Sequence, residues 1–482
     1  MRIALLSYRS KPHCGGQGVY VRHLSRELAA QGHTVEVFSG QPYPELDPGP
    51  TLTKVPSLDL YDDANPFRTP HPREIRDRID LLELGTMYTA GFPEPRTFSM
   101  RVARLLADRL DDFDVVHDNQ CLGSGLLDIE EAGMPVVATV HHPITRDRQL
   151  ALAEARGIRK QITTRRWFGF LGMQRRVARQ LQEIITVSGS SARDIATDFD
   201  VDPSRIVTIP LGVDTDRFHP GRHREPGRIV CVSSADQPLK GVTVLLRALA
   251  RVRADGRPGV RLTLVSKLKR GGEADRLLDS LGLRGAVDLV SGVDDDELAR
   301  LVGTAEIAVV PSLYEGFSLP AVEAMSSGCA LVATRAGALP EVVGEDDSAA
   351  RLVAPGDVDE LARALAALLD SAEERERLGR GGRERVMERY SWAAVARRTA
   401  AVYEVAVARR RGETPPELAA GPDLGPSAGE IDETLATPAG SDPAVPAAPD
   451  PADPDHRAGR TTRDTHGGAQ GTAIREQEDA AC

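Results

Sequence analysis

Two glutamates stand eight residues apart in the stretch EGFSLPAVEAMSSG, which runs from Glu315 to Gly328. Pro320 lies between them, and its fixed φ and missing amide suit the first turn of a helix. Glu315 then falls on a loop and Glu323 on the helix. Carboxylates accept hydrogen bonds from paired hydroxyls, so a sugar beside Glu315 and a ribose beside Glu323 would account for both acids. The alternative is a solvated loop acid and an exposed helix acid, which the spacing alone leaves open.

The loop before this helix offers backbone amides as well as carboxylates. It follows the apolar run IAVVPS, so it leaves the end of a strand and enters the helix near Pro320. Free amides at the start of a helix favour negative charge, which a phosphate provides. The residues predicted to bind it are Gly316, Phe317, Ser318 and Leu319. With the two acids, they predict a nucleotide sugar as the ligand.

A second phosphate-binding loop is predicted near the amino terminus, in KPHCGGQGVYVRHLSRELAAQGH. Gly15, Gly16 and Gly18 let backbone amides approach a ligand closely, and the amphipathic helix that follows presents its amino-terminal end. The pattern differs from the dinucleotide fingerprint because Val21 replaces the third glycine and the second strand ends without a ribose-binding acid. A turn that is only tight remains the alternative.

Short apolar runs that could form strands alternate with longer amphipathic stretches. The runs are RIALLS, TVEVFSG, DVVHDN, VVATVHH, EIITVS, RIVCVSS, RLTLVS, VDLVSG, IAVVPS and ALVATR. Continuous apolar strands between helices indicate parallel sheets covered on both faces. Two such series predict an α/β protein with two doubly wound, Rossmann-like domains. Such sheets bind ligands at the carboxyl ends of their strands, so the site is expected in a cleft between the domains.

Pro, Gly and charged residues interrupt this alternation in IVTIPLGVDTDRFHPGRHREPGR, where we place the domain boundary. The expected domains cover residues 1–213 and 214–390. A helix over 391–411 is expected to pack back toward the first domain. The remaining tail, 412–482, is rich in Pro, Ala, Gly and Asp and lacks the apolar residues that would offset the entropy of ordering. It is predicted to be disordered, with an acidic docking tail as the alternative.

The formal net charge of −11 is concentrated in that tail. Gly412 to Cys482 contains four arginines and fourteen acidic residues, which leaves about −1 for the rest of the chain. The rest of the chain is nearly neutral, and 4% of all residues are aromatic. Nucleic acid is therefore not expected as a partner, because binding it requires basic residues that contact phosphates and aromatic residues that stack on bases.

The spacing of the cysteines and the lengths of the apolar runs indicate the cellular compartment. The five cysteines lie far apart with no Cys-x-x-Cys pair, which argues against a disulfide framework and a zinc site. No His, Asp or Glu cluster has metal-ligand spacing, so no metal is expected. The start MRIALLSYRS is too short for a signal sequence, and no run reaches a membrane-spanning length. These features predict a cytoplasmic protein.

The segment PSLYEGFSLPAVEAMSSGCALVATRAGALPEVV resembles the Glu-x7-Glu donor-site segment of the retaining GT-B glycosyltransferases of family 4. Other motifs resemble that family in the same order along residues 1–405: the early Gly-Gly loop, ATVHH, ITVSGSSARD, IPLGVDTDRF, PLKG, RLVAPGD and RVMERYSW. Their order and spacing identify the chain as a member. The resemblance implies that 1–213 binds the acceptor and 214–390 the nucleotide sugar.

The resemblance also implies a role for each motif residue. Glu315 would hold hydroxyls of the donor sugar, and Glu323 the ribose of its nucleotide. Lys240, in PLKG, would neutralise the departing diphosphate. Gly15 and Gly16 would close over that diphosphate from the other domain. Without the resemblance, a lysine such as Lys240 is more often a solvated surface residue.

A histidine at the end of ATVHH is implied to sit beside the transferred sugar. His141 fits this role, and the adjacent His142 is its rival. A buried structural histidine is the alternative for His141, since a lone histidine after a strand is often capped or packed in the core.

One departure from the family concerns the phosphates. The family shows Gly-Arg several residues before the lysine, whereas this chain has Ser233 and Ser234 in CVSSADQPLKG. Ser234 therefore enters the set of donor-binding candidates in place of an arginine. A substitute cation is expected from the loop VSKLKRGG, which offers Lys267, Lys269 or Arg270.

The activity implied is transfer of a hexose from a UDP- or GDP-sugar to an acceptor hydroxyl with retention of anomeric configuration. The acceptor is a glycan, a lipid-linked molecule or a small molecule. Lys240 and helix-terminal amides would stabilise the leaving diphosphate, so neither a metal nor a cofactor is expected. The alternatives are a catalytically degenerate nucleotide-sugar-binding protein, which the loss of the arginine suggests, and a nucleotide-sugar 2-epimerase.

The segment 155–181, ARGIRKQITTRRWFGFLGMQRRVARQL, contains eight basic residues and no acid. Trp167, Phe168, Phe170 and Leu171 stand among them. In one interpretation this segment lies on an anionic bilayer, peripherally at the inner face of the membrane. In the other, it is a helix packed on the sheet, with its arginines solvated or facing acceptor phosphates.

Overall fold

A computed structural model describes residues 1–11, 16–62 and 65–418 of the chain. Gly15 of the predicted glycine loop lies outside these residues. So does the predicted disordered tail from residue 419 onward.

The first of two sheets is parallel throughout, and its strands lie in the order β3-β2-β1-β4-β5-β6-β7. The strands are β1 (Arg2–Ser7), β2 (Thr34–Ser39), β3 (Thr51–Lys54), β4 (Val115–Asn119), β5 (Val136–Val140), β6 (Glu183–Thr186) and β7 (Ile206–Thr208). Strands β4, β5 and β6 are buried along their whole length, as strands covered on both faces must be. The order reverses between β1 and β4, which opens a crevice at their carboxyl ends.

Eight helices among the described residues connect these strands and cover both faces of the sheet. They are α1 (Gly16–Ala30), α2 (Arg78–Tyr88), α3 (Glu94–Leu106), α4 (Gly125–Glu131), α5 (Thr145–Glu154), α6 (Ile158–Trp167), α7 (Leu171–Ala178) and α8 (Gly189–Phe199). Side-chain caps fix where some of them begin. Asp77 accepts two amide hydrogen bonds in the first turn of α2, and Ser188 accepts one in the first turn of α8.

The second sheet is also parallel and has the order β10-β9-β8-β11-β12-β13. Its strands are β8 (Glu225–Val232), β9 (Arg261–Val265), β10 (Val287–Val290), β11 (Ala305–Val310), β12 (Ala330–Thr334) and β13 (Ala350–Val353). The remaining helices are α9 (Val242–Ala254), α10 (Glu273–Ser280), α11 (Asp295–Thr304), α12 (Leu319–Ser326), α13 (Leu339–Val343), α14 (Val358–Asp370), α15 (Ala372–Arg389) and α16 (Trp392–Arg411). The prediction of two doubly wound parallel sheets is confirmed.

Helix α16 leaves the second sheet and packs against α1 and strands β4, β5 and β6 of the first. A single hydrophobic cluster accordingly contains Val37 of the first sheet, Leu331 of the second and Val402 of α16. The helix also makes a buried polar contact: the Tyr403 hydroxyl is bonded to Nδ1 of His117 at 2.6 Å. Burial lowers the pKa of His117 to about 3, so the imidazole is neutral. This bond ties the last helix to the centre of the first sheet.

We predict that Tyr403→Phe destabilises the protein by about 1–3 kcal/mol, because it leaves Nδ1 of a fully buried histidine without its partner. Urea denaturation followed by circular dichroism measures the change. Tyr88→Phe is the matched control, since the Tyr88 side chain is largely exposed. Equal unfolding midpoints for the two variants would show that the buried bond contributes nothing.

Candidate active site

Lys240 and Glu315 form an ion pair at the carboxyl ends of β8 and β11. The Lys240 Nζ lies 3.0 Å from Oε1 of Glu315, and the Ser312 hydroxyl donates to the same oxygen at 2.7 Å. The Glu315 side chain is 11% exposed and that of Lys240 is 31% exposed. The structure thus brings together two residues that are 75 positions apart in the sequence.

A glycine allows the loop that carries Lys240 to approach the loop that carries Glu315. Gly241 follows the short 3-10 turn Pro238–Lys240 and has a φ of +65°. A Cβ at this position would lie 1.9 Å from the carbonyl oxygen of Pro311. The Leu313 amide also donates to the carbonyl of Leu239 at 2.6 Å. The two loops are therefore in backbone contact, which sets the Lys240 to Glu315 distance.

Gly337 supports Glu315 from the opposite side. Its φ is +57°, and a Cβ there would lie 2.1 Å from the carbonyl oxygen of Glu315. The next amide, that of Ala338, donates to this carbonyl at 2.9 Å. The backbone of Glu315 is thus fixed between the loops that follow β11 and β12.

The loop after Glu315 enters α12 through a strained residue. Ser318 has φ +93° and ψ +85°, is buried, and its hydroxyl has no partner among the described residues. The amides of Phe317, Ser318 and Leu319 likewise donate to no acceptor in the described part of the chain. Such unpaired donors at a helix start are suited to an anion.

Glu323 lies further along α12 and is partly buried. Burial, and to a smaller degree the carboxylate of Asp295, raises the pKa of Glu323 to about 7. No side-chain hydrogen bond of Glu323 is present among the residues described, so its carboxyl group is available to a ligand. Asp295 also pairs with Arg22 of α1, at 3.6 Å. This contact places the first turns of α1 near the Glu323 side of the cleft.

His141 follows β5 and is held by Asn119, the last residue of β4, and by Gln120, the residue after it. Its Nε2 lies 2.8 Å from Oδ1 of Asn119, which can only accept, so Nε2 carries the proton. Burial lowers the pKa of His141 to about 3, and the ring is therefore neutral with a lone pair on Nδ1. The ring of Tyr20, in the second turn of α1, packs edge-on against it at 4.9 Å.

Gln120 fixes the backbone at the two histidines. Its side-chain amide accepts from the His141 amide at 2.6 Å and donates to the His142 carbonyl at 2.9 Å. Its own φ of +62° is unusual for a residue with a side chain. His142, by contrast, lies 3.5 Å from the carboxylate of Asp147. The two histidines thus differ: His141 belongs to a buried network and His142 to a polar contact nearer the surface.

The two halves of the protein meet directly at Gly316. The Ser188 hydroxyl, at the start of α8, donates to the Gly316 carbonyl at 2.6 Å. A Cβ on Gly316 would lie 3.4 Å from the carbonyl oxygen of His141 and from the Cβ of His142. Glu341 of α13 also accepts from the Gly189 amide at 2.9 Å. His141 and the Glu315 loop are therefore neighbours across the cleft.

The other predicted residues lie around this centre. Gly16 is the first residue of α1. Ser234 is exposed and accepts the Gln237 amide through its backbone carbonyl. The loop that carries the three predicted substitute cations is attached to the Ser234 loop, because the Lys269 amide donates to Asp236 at 2.6 Å.

The basic segment 155–181 folds as α6, a 3-10 turn and α7. Three aromatic residues and Leu171 are buried in the core of the first domain; the aromatic ones are Trp167, Phe168 and Phe170. These side chains are thus not available to a bilayer, whereas Ile158 and Ile162 of α6 are exposed beside the basic residues. Within the described residues, no helix combines the length and the hydropathy that crossing a membrane requires.

Sequence reasoning missed several residues that build this site. Asn119 and Gln120, which hold His141, and Ser312, which bonds Glu315, were not singled out. A signal existed for the first two, since polar residues follow the apolar run of β4 at the edge where ligands bind. In the part of the chain that the structure describes, no three His, Cys, Asp or Glu side chains cluster as metal ligands would.

We predict that Gly337→Ala lowers the unfolding temperature and the activity together, because the added methyl would press on the Glu315 carbonyl. Gly282→Ala is the matched control: Gly282 has a similar φ of +66° but no atom within 4 Å of an added Cβ. Differential scanning calorimetry and a turnover assay compare the two variants. An equal loss in both would assign the effect to backbone strain alone.

Comparisons with known proteins follow the division into two halves. Residues 14–217 match the family Glycosyltransferase Family 4, and residues 214–385 match the family Glycosyl transferases group 1. MMP alpha-(1->4)-mannosyltransferase of Mycolicibacterium hassiacum is 62% identical over 410 residues, which are 85% of this chain and 99% of that protein. D-inositol 3-phosphate glycosyltransferase 2 of Catenulispora acidiphila is 30% identical over 450 residues, 87% of this chain and 98% of that protein.

Solved structures share the fold at lower identity. Sucrose-phosphate synthase from Thermosynechococcus elongatus aligns with a TM-score of 0.64 at 22% identity, over 83% of this chain and 98% of the other. Anabaena HepE in complex with UDP-glucose aligns with a TM-score of 0.60 at 16% identity, over 83% of this chain and 98% of the other. The family matches and the similarity to the mannosyltransferase together show that the chain belongs to the group 1 glycosyltransferases of family 4, with the GT-B fold.

Proposed function

We propose that this protein is an α-(1→4)-mannosyltransferase that moves mannose from a nucleoside-diphosphate mannose to a hydroxyl of a glycan acceptor. The Lys240–Glu315 pair at the cleft supports the proposal most directly. It places a cation beside a carboxylate that can accept hydrogen bonds from sugar hydroxyls, as binding the diphosphate and the sugar of one donor would require. The linkage and the sugar come from the relative that is 62% identical.

The donor diphosphate would be held by charge and by backbone amides. Lys240 supplies the charge, and the unpaired amides at the start of α12 supply hydrogen bonds. The start of α1, at Gly16, would face the same phosphates from the first domain. Ser234 adds a hydroxyl in place of the family's arginine. On binding, Lys240 would exchange its contact with Glu315 for one with the diphosphate.

The sugar and the ribose would each meet a carboxyl group. Glu315 would accept hydrogen bonds from hydroxyls of the mannosyl group once Lys240 turns toward the phosphates. Glu323 would do the same for the ribose. The Nδ1 lone pair of His141 would accept a further sugar hydroxyl, since Asn119 keeps the proton on Nε2. The sugar would thus be positioned by acceptors on both domains.

Catalysis would be electrostatic. Lys240 and the helix-terminal amides would stabilise the charge that develops on the diphosphate, and the closed cleft would strengthen these interactions by excluding water. If the donor carries an α-linked diphosphate, an α-linked product means that the anomeric configuration is retained. We therefore propose a retaining, metal-independent transfer in which the acceptor hydroxyl attacks the face that the diphosphate leaves.

We predict that Lys240→Ala and Glu315→Ala each lower kcat by roughly 10² to 10³, the effect of deleting one preorganised charge partner. Release of nucleoside diphosphate from the donor, with acceptor present, measures turnover. Lys54→Ala, an exposed lysine on β3, is the matched control. Unchanged turnover in both active-site variants would refute the proposed site, and donor binding without turnover in the wild type would favour the degenerate sugar-binding alternative.

The raised pKa of Glu323 predicts a pH dependence of donor affinity. The carboxyl group has a pKa of about 7, so it is mostly neutral at pH 6 and mostly ionised at pH 8. Because the carboxylate is the better hydrogen-bond acceptor, the donor KM is expected to fall by up to about tenfold across this range. Glu323→Gln is expected to raise KM and remove the dependence. A KM profile of the variant that still follows pH would assign the titration to another group.

We predict that a nucleoside-diphosphate mannose stabilises the protein more than the corresponding glucose donor does. A ligand at one hundred times its Kd adds about 2.7 kcal/mol, which a thermal-shift assay resolves easily. GDP-mannose, UDP-glucose and the free nucleotides form the panel, and nuclear magnetic resonance of the product reports linkage and anomer. Product formation that survives EDTA supports metal independence, whereas a β-linked product would contradict retention.

A further inference from the structure

Two stretches of this chain carry opposite and unmixed charge. Segment 155–181 contains eight Arg or Lys and no Asp or Glu. Segment 419–456 contains eight Asp or Glu and no Arg or Lys. The eight acids are Asp423, Glu430, Asp432, Glu433, Asp442, Asp450, Asp453 and Asp455. The proposed reaction uses no residue of either segment, so it does not account for their charge.

Seven of the eight basic residues of segment 155–181 are exposed and the eighth, Lys160, is half-buried; together we call them the α6–α7 basic surface. It consists of Arg156, Arg159, Lys160, Arg165, Arg166, Arg175, Arg176 and Arg179. Arg175 and Arg179 share the Asp200 carboxylate, at 3.7 Å and 3.0 Å. The other six have no acidic partner among the described residues. Three of the arginines line an open concavity of about 550 Å³ with Gly172 and Gln180.

The chain leaves α16 close to this surface. Near the end of α16, Arg409 pairs with Glu183, and Arg410 donates to the Gly133 carbonyl at 2.9 Å. Glu183 stands only four residues after Arg179 in the sequence, so the two Cα atoms are at most about 14 Å apart. The carboxyl-terminal end of α16 is thus near the carboxyl-terminal end of α7, where Arg175, Arg176 and Arg179 lie.

The length of the acidic segment suits this distance. Leu418, the last described residue, is twelve residues before Glu430, where three acids fall within four positions. Twelve residues span at most about 40 Å when fully extended. Counted from Arg409, which pairs with Glu183, Glu430 is 21 residues further on, an extended reach of about 70 Å, so the chain is long enough for these acids to reach the carboxyl-terminal end of α7.

We propose that the acidic segment 419–456 of this chain docks on the α6–α7 basic surface. Each surface ion pair contributes little by itself, but the tether raises the local concentration of acids to the millimolar range, so several weak pairs act together. An anionic bilayer is the competing partner. It is less favoured because the aromatic residues of segment 155–181 are buried, which leaves Ile158 and Ile162 as its exposed large apolar side chains.

A photo-crosslinking experiment on the full-length chain tests the docking. Gln180, in the concavity, is replaced by p-benzoylphenylalanine, and the crosslinked peptides are identified by mass spectrometry. We expect intramolecular crosslinks to segment 419–456 at about 20 mM salt and at least a fivefold lower yield at about 500 mM, where charges are screened within a few ångströms. The same replacement at Met387, exposed on α15, is the control and should capture no tail peptide.

Charge variants and vesicles separate the tail from a membrane as the partner. Arg175→Gln, Arg176→Gln and Arg179→Gln together should lower the crosslink yield at least fivefold, whereas the matched set Arg251→Gln, Arg257→Gln and Arg261→Gln should not. Neutralising the eight tail acids should strengthen sedimentation with vesicles of equal phosphatidylglycerol and phosphatidylcholine. Absence of tail crosslinks at low salt, or equal vesicle binding with and without the acids, overturns the proposal.

Discussion

The site depends on one close contact, in which the loops that follow β8 and β11 touch through their backbones. The ion pair between Lys240 and Glu315 exists because these loops cannot move independently. A lysine on a free loop would be solvated, and its charge would be largely screened by water. Paired with Glu315, whose carboxylate also accepts from the Ser312 hydroxyl, it is already located beside the site before any ligand arrives. Preorganisation of this kind is what electrostatic catalysis requires.

The helix that closes the described chain makes the two halves interdependent. α16 comes from the second domain but completes the hydrophobic core of the first, and Tyr403 reaches the buried His117 beneath it. Thr139 joins this network to Tyr20, which also packs on His141. A side chain at the cleft is thus supported by a helix on the far side of the sheet. The stability of the core and the geometry of the site are consequently coupled.

Much of the fold was predictable because continuous runs of Val, Ile and Leu identify strands buried on both faces. All ten predicted runs form strands, whereas β3, β7 and β13 were not predicted: β3 has no continuous apolar run, and β7 lies in the segment interpreted as the domain boundary. Loop position after a strand also indicated that Glu315 faces the cleft, whereas Lys240 was singled out only by the resemblance to the family. The support of His141 by Asn119 and Gln120 was not predictable, because it depends on side-chain directions and on a left-handed φ at Gln120. Likewise, the raised pKa of Glu323 follows from burial, which the spacing of the two glutamates does not reveal.

Gly316 sets how far the two domains can approach. Its carbonyl accepts from the Ser188 hydroxyl, and a Cβ added here would lie 3.3 Å from Oγ of Ser191 and 3.4 Å from the carbonyl oxygen of His141. A side chain larger than a methyl group would therefore press on the contact between the two halves. Because water that enters a cleft weakens the charge interactions inside it, the close fit at this uncharged residue bears on the electrostatics of the site as well as on its shape.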